Sequence, residues 1–201
     1  MKILCIGRNY RDHATELGNA VPEEPVVFCK PDSAILQPRL PFVIPSWSSD
    51  IHHEVEWVVR IGRVGKFIEP EFAWSYVDAM TVGLDFTARD LQSKLKAKGL
   101  PWEKAKGFDG SAVLGEWIKG PIAPGFHDIS LLKNGTEVQA GNTSDFLFPL
   151  EELIAHVSQY FTLKTGDLLF TGTPAGVGPV SPGDELEAKL DGKSLLRLRI
   201  R

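Results

Sequence analysis

The segment Asp50-Ile51-His52-His53-Glu54-Val55-Glu56-Trp57-Val58-Val59-Arg60-Ile61 sets two carboxylates two residues apart inside an apolar run. As a strand, its period of two puts Glu54 and Glu56 on one face and Val55 and Trp57 on the other. Side chains at i and i+2 leave the backbone roughly 7 Å apart, so both can reach one cation. An isolated Glu-x-Glu is most often a hydrated surface strand. Here Val58, Val59 and Ile61 follow directly, which predicts cover on both faces, and buried carboxylates need a cation or donors. A zincin reading of His53-Glu54 fails, because the position four residues after His53 is Trp57. Oxygen donors alone favour a hard ion such as magnesium, manganese or calcium.

A second acid, Asp85, stands where the run Thr81-Val82-Gly83-Leu84 ends and a helix is due to begin. It reads either as a turn residue or as a side chain lining a cleft. Arg89 and Gln92 lie three residues apart on one side of that helix. Gly172-Thr173-Pro174-Ala175-Gly176-Val177-Gly178-Pro179 lacks the Gly-Lys-Ser/Thr of a phosphate loop, and reads as a tight rim on which Thr171 and Thr173 offer hydroxyls. The chain holds no G-x-S-x-G elbow, which argues against a serine hydrolase. His13 and Glu16, at i and i+3 on a short helix, could be a general base with its orienting carboxylate or two solvated surface groups. Nothing local separates Lys106 from Lys104. Cys5 and Cys29 sit in apolar runs and read as buried, reduced strand thiols without metal-ligand spacing.

Many short strands would have to position these groups. Asn134-Gly135 and Asp191-Gly192 are strong two-residue hairpin signals, flanked by 129–133 and 136–139 and by 186–190 and 193–200. Further strands are expected near 2–6, 26–29, 54–61, 79–84 and 167–171. Helices are expected over 11–17, 88–98 and 150–161, with a weaker one over 71–76. Thr87 and Asp90 resemble a capping box for the second. Because helices do not alternate regularly with strands, a doubly wound sheet is disfavoured. The expectation is an α+β, β-rich fold: a mixed, mainly antiparallel β-roll with a few flanking helices, formed as one domain over 1–201.

Composition narrows the function. The 201 residues are 43% hydrophobic and 24% charged, with 22 Lys+Arg against 26 Asp+Glu and a net charge of −4, which argues against nucleic acid as partner. No apolar run reaches the ~18 residues of a membrane span, and the amino end is too short in apolar residues for a signal peptide. A cytoplasmic location is expected.

Taken in order, several segments resemble the fumarylacetoacetate hydrolase superfamily in its short form. They are Gly7-Arg8-Asn9-Tyr10 with Asp12-His13, Phe28 to Pro31, His53-Glu54-Val55-Glu56, Gly83 to Gln92, Lys104 to Asp109, and Thr171 to Pro179. The resemblance implies a β-roll, a homodimer, and a magnesium- or manganese-type ion with calcium as an alternative occupant. It implies Glu54, Glu56 and Asp85 as metal carboxylates, Lys106 as the active-site lysine, and His13 with Glu16 as a water-activating pair on a lid helix. Gln92, Thr173 and Arg8 become substrate contacts. The chemistry it implies is cleavage of a carbon–carbon bond in acylpyruvate-type 2,4-dioxo acids. Oxaloacetate decarboxylation and 2-hydroxyhepta-2,4-diene-1,7-dioate isomerisation are in-class alternatives, and a non-catalytic β-roll that binds a small acid is a rival of another class.

Overall fold

The computed structural model of the chain describes residues 1–10 and 21–201. The helix expected over 11–17, with His13 and Glu16, lies outside the described residues. In chain order come β1 (Ile3–Gly7), β2 (Val26–Lys30), β3 (Ile51–His53), β4 (Val55–Ile61), β5 (Val77–Asp85) and β6 (Thr87–Ala88). Next are α1 (Arg89–Ala97), α2 (Glu103–Lys106), β7 (Ala112–Leu114), β8 (Ile118–Lys119), β9 (Asp128–Lys133) and β10 (Thr136–Asn142). The chain closes with α3 (Leu150–Tyr160), β11 (Leu168–Phe170), β12 (Gly178–Pro179), β13 (Glu185–Leu190) and β14 (Lys193–Arg199).

The architecture is the expected one, a curled mixed sheet with few helices. The main sheet runs β2-β1-β11-β4-β5-β7 with β8 beside β5, and among these strands β1 and β11 pair in parallel while the other neighbours are antiparallel. A second sheet, β10-β9-β13-β14, is wholly antiparallel, and β12-β3-β6 form a small third. Both predicted hairpins form: φ is positive at Asn134 (54°) and Gly135 (80°), and at Asp191 (50°) and Gly192 (76°), the backbone of tight turns that match strand twist.

Strand β4 is covered on both faces. Val55, Trp57, Val59 and Ile61 enter a core shared with Ile129, Leu131, Leu186 and Leu198 of the second sheet. On the opposite face Val58 packs with Ile3, Cys5, Ala112, Leu168 and Phe170. Glu56 shares Val58's face by alternation, so it is carried into the interior. Helix α3 buries Leu150, Leu153, Ile154 and Val157 and packs against a 3₁₀ turn at Pro70–Tyr76, the weaker helix of the sequence reading.

Two expectations need correction. Thr87 does not cap α1: it lies in β6 and donates to Glu54 Oε1 at 3.0 Å, while Asp90 accepts from Ser48 Oγ (2.7 Å) and Leu91 N (2.8 Å). A buried carboxylate is the stronger acceptor, because a hydrogen bond to a charged partner outweighs a neutral cap. Cys29 is only half-buried, since β2 is the edge of the main sheet, whereas Cys5 on the neighbouring strand is fully covered. No helix among the described residues is long and apolar enough to cross a membrane.

Asp167 ties the amino end to the turn before β11. It accepts from Lys2 N and Lys164 N, each at 2.8 Å, and pairs with the Lys2 ammonium. Burial alone would raise its carboxyl, but the hydrogen bonds from Lys2 and Lys164 outweigh that and hold it below the ordinary aspartate value. A depressed folded pKa gives stability that is complete above the unfolded value of about 3.9 and is lost as pH falls through the folded one. Asp167→Asn should therefore lower the urea midpoint at pH 7. The gap from the unmodified protein should close in titrations carried below pH 3.9.

Candidate active site

Glu54 occupies the junction of β3 and β4, Glu56 the second position of β4, and Asp85 the last position of β5. The antiparallel register sets Val55 opposite Leu84 and Glu56 opposite Gly83, so the three acids meet at one end of the pair. Asp85 N donates to Glu54 O at 2.9 Å and fixes that junction. One carboxylate oxygen from each of Glu54, Glu56 and Asp85 lies within 4.8 Å of the other two, and all three residues are buried. Strands separated in sequence thus bring together the predicted acids.

Among the described residues, three cationic side chains answer them. Lys106 Nζ, at the end of α2, lies 2.8 Å from both Glu54 Oε2 and Asp85 Oδ2. Burial alone would lower this lysine, but Asp85 and Glu54 raise it overall, so it stays an ammonium. Arg89 Nη2 reaches Glu54 Oε1 at 2.5 Å, and its Nη1 donates to Gln92 Oε1 at 2.7 Å, so α1 enters the site through both residues. The third cation, Lys30, was missed by the sequence reading. Its fully buried ammonium lies 2.6 Å from Asp85 Oδ1 and also donates to Ser111 Oγ (3.0 Å) and the Lys106 carbonyl. A lone lysine ending an apolar strand gives no local sign of such a partner.

Glu56 differs from its neighbours. Its one hydrogen bond among the described residues comes from Gly172 N at 2.8 Å. Burial first, then Asp85 and Glu54, push its carboxyl well above the ordinary glutamate range. The site therefore has an all-oxygen donor set with one carboxylate that pairs with no cation among the described residues, and that chemistry fits a hard divalent ion.

The rim is held by close backbone approaches. Gly172 has φ of 103°, and a Cβ there would stand 2.8 Å from Asn9 Cβ. Buried Asn9 donates to Thr171 O (2.9 Å) and accepts from Phe148 N (2.9 Å), which leaves Arg8, at φ 61°, facing the cleft. Arg8, Phe28, Arg89, Gln92, Lys96, Lys106 and Thr173 line that cleft together with the three acids. Lys96 is lowered by burial and then by Arg8 and Arg89, as expected where cations crowd one mouth. Thr171 departs from its expected place: its hydroxyl donates to Trp57 O at 2.8 Å, bracing β4 rather than the rim. His13 and Glu16 lie outside the described residues.

Known proteins resemble this chain over nearly its whole length. The family model described as fumarylacetoacetate (FAA) hydrolase C-terminal matches residues 2–201. The chain is 46% identical over 199 residues to the oxaloacetate tautomerase YcgM of Escherichia coli, covering 96% of this chain and 90% of that protein. It is 44% identical over 194 residues to a mitochondrial oxaloacetate decarboxylase of Dictyostelium discoideum, covering 95% and 89%. Among solved structures, a fumarylpyruvate hydrolase from Pseudomonas aeruginosa in complex with Mn2+ and pyruvate superposes with a TM-score of 0.94 at 37% identity, covering 100% of this chain and 89% of that one.

Proposed function

Because the chain belongs to the fumarylacetoacetate hydrolase family, we propose that it is a divalent-metal-dependent enzyme that promotes enol formation in a small, dianionic 2-oxo acid. The observation that carries this reading is the buried Glu54, Glu56 and Asp85 cluster, in contact with the Lys106 ammonium at the base of a cation-lined cleft. Glu54, Glu56 and Asp85 would hold magnesium or manganese, which supplies Lewis acidity at the 2-oxo group.

The chain's own residues do the rest. Arg8, Arg89 and Lys96 draw a dianion into the cleft. Lys106, kept protonated, stabilises negative charge as it develops on the enol oxygen. Thr173 and Gln92 orient the substrate. His13, supported by Glu16, moves a proton and, for acylpyruvates, deprotonates the water that attacks the distal carbonyl.

Oxaloacetate is the first substrate to test, since the names of the E. coli and Dictyostelium relatives point to it. Carbon–carbon hydrolysis of acylpyruvates, the first expectation from sequence, is the second reading, favoured by the name of the Pseudomonas relative. The test is a rate panel of oxaloacetate tautomerisation, oxaloacetate decarboxylation, and hydrolysis of acetylpyruvate and fumarylpyruvate, with Mg2+ or Mn2+ and again after chelation. Turnover that chelation abolishes is expected. Rates indifferent to chelator would refute the metal role, and no turnover of any 2-oxo acid would favour a binding protein.

His13→Ala separates the reactions. Hydrolysis should fall by about 10²–10⁴-fold, the usual worth of a general base, with Mn2+ affinity unchanged and decarboxylation retained. Full-rate hydrolysis in this variant would remove His13 from water activation.

A further inference from the structure

Gln139 is the one fully buried residue of β10, in a strand whose other residues are exposed or half-buried. A bulge between Glu137 and Gln139 breaks the register with β9 and turns this side chain inward. Around it, Gly141 lies so close to Pro174 that a Cβ would come within 2.8 Å, and a side chain at Gly176 would strike the Val138 carbonyl. The rim loop thus rests directly on β10.

The amide's orientation is forced. Its Oε1 accepts from Val55 N at 3.1 Å, and a backbone N–H can only donate. Its Nε2 donates to Pro174 O at 3.0 Å, and a carbonyl can only accept. Nε2 therefore has one proton left, and this proton points at Thr173 Oγ1, 2.9 Å away. His53 locks the arrangement from behind: its Nδ1 lies 2.9 Å from Gln139 Oε1, so Nδ1 must carry the proton.

Thr173 Oγ1 is thus an acceptor toward Gln139, and its own proton meets no acceptor among the described residues. Thr173 is buried and lines the cleft beside the three acids. We infer that Gln139 is a positioning residue that makes Thr173 an obligate hydrogen-bond donor to the carboxylate of the bound 2-oxo acid. This rests on the proposed function, since it presumes an anionic substrate in that cleft.

The substitution Gln139→Glu reverses the polarity. A carboxylate at 139 accepts the Thr173 proton, so the hydroxyl presents lone pairs to the substrate's negative charge. The experiment measures pyruvate affinity of the Mn2+-loaded protein by titration calorimetry, with Mn2+ affinity and melting temperature for each variant. Gln139→Glu and Thr173→Val should each weaken pyruvate binding about 10- to 100-fold, the worth of a hydrogen bond to a charged group. The double variant should be no weaker than the worse single one, and Thr173→Ser should bind as the unmodified protein does. Mn2+ affinity should stay unchanged throughout. Should Gln139→Glu melt many degrees lower, Gln139→Met, which has no donor and no charge, leaves the Thr173 hydroxyl unoriented and should still weaken pyruvate binding, by less than Gln139→Glu.

Undiminished pyruvate affinity in the Gln139 variants would overturn the assignment. So would losses that multiply in the double variant, or a parallel loss of Mn2+, which would mean that Gln139 only braces Val55. If the unmodified protein takes Mn2+ but not pyruvate, the functional reading fails, and the role of Gln139 toward substrate fails with it.

Discussion

Glu56→Ala should abolish tight divalent-cation binding and every 2-oxo acid activity together, while the protein remains folded. Glu54 and Asp85 already face Lys106, Arg89 and Lys30, so Glu56 is the acid of the three that pairs with no cation among the described residues. Removing it leaves two carboxylates facing three cations, a field that repels a dication. Substitution of groups that merely support metal ligands costs about 10–100-fold in affinity, and loss of a ligand itself should exceed that. Stability should move the other way or barely at all. A buried carboxylate with few partners is destabilising in the metal-free fold, and among the described residues only Gly172 N loses its acceptor. Glu56→Gln supplies the control, since its amide oxygen can still accept from Gly172 N while offering the ion no charge. Manganese titration followed by electron paramagnetic resonance, with thermal melts of the metal-free proteins, reads both signs. Near-normal Mn2+ affinity in both variants would mean that Glu56 is not a ligand.

The parts of this arrangement that sequence revealed were the local ones. Asn-Gly and Asp-Gly turns depend on the φ preferences of adjacent residues, and both hairpins formed where those dipeptides stand. The pairing of Glu54 with Glu56 on one face follows from strand period, and their burial from the apolar residues that continue the run. What depended on distant contacts was opaque. Lys30 meets Asp85 only once β2 and β5 share a sheet, and its other partners come from residues 106 and 111. Gln139 is buried because a bulge shifts the phase of its strand, and nothing in Thr136-Glu137-Val138-Gln139 announces a bulge. Thr87 failed as a cap for a related reason: its better acceptor, Glu54, lies 33 residues away. Polar side chains choose among partners that folding brings together, and a sequence displays only the near ones. For Lys106 the residues themselves were mute, for His13 and Glu16 they left a general base and a solvated pair both open, and it was the resemblance to a family that singled these three out.

Lys106→Met should produce the opposite pattern from Glu56→Ala, in that metal affinity and turnover part company. The Lys106 ammonium sits 2.8 Å from one oxygen each of Glu54 and Asp85, so it competes for two of the acids that would hold a cation. Its removal frees both oxygens and one unit of positive charge, so Mn2+ should bind at least as tightly as before. The metal-free variant should lose about 3–5 kcal/mol of stability, the cost of leaving buried carboxylates short of a partner. Added Mn2+ should restore most of this, since a ligand that binds only the folded state stabilises it by mass action. Turnover should nonetheless fall by about 10²–10³-fold, as when one preorganised donor to a developing oxyanion is deleted. Arg89 and Lys30 cannot substitute, because Arg89 is held by Glu54 and Gln92, and Lys30 by Asp85 and Ser111. Melting curves with and without Mn2+ test the first half and steady-state rates on oxaloacetate the second. A variant that loses metal and activity in proportion would show Lys106 to be a scaffold for the acid cluster, with no part in the chemistry.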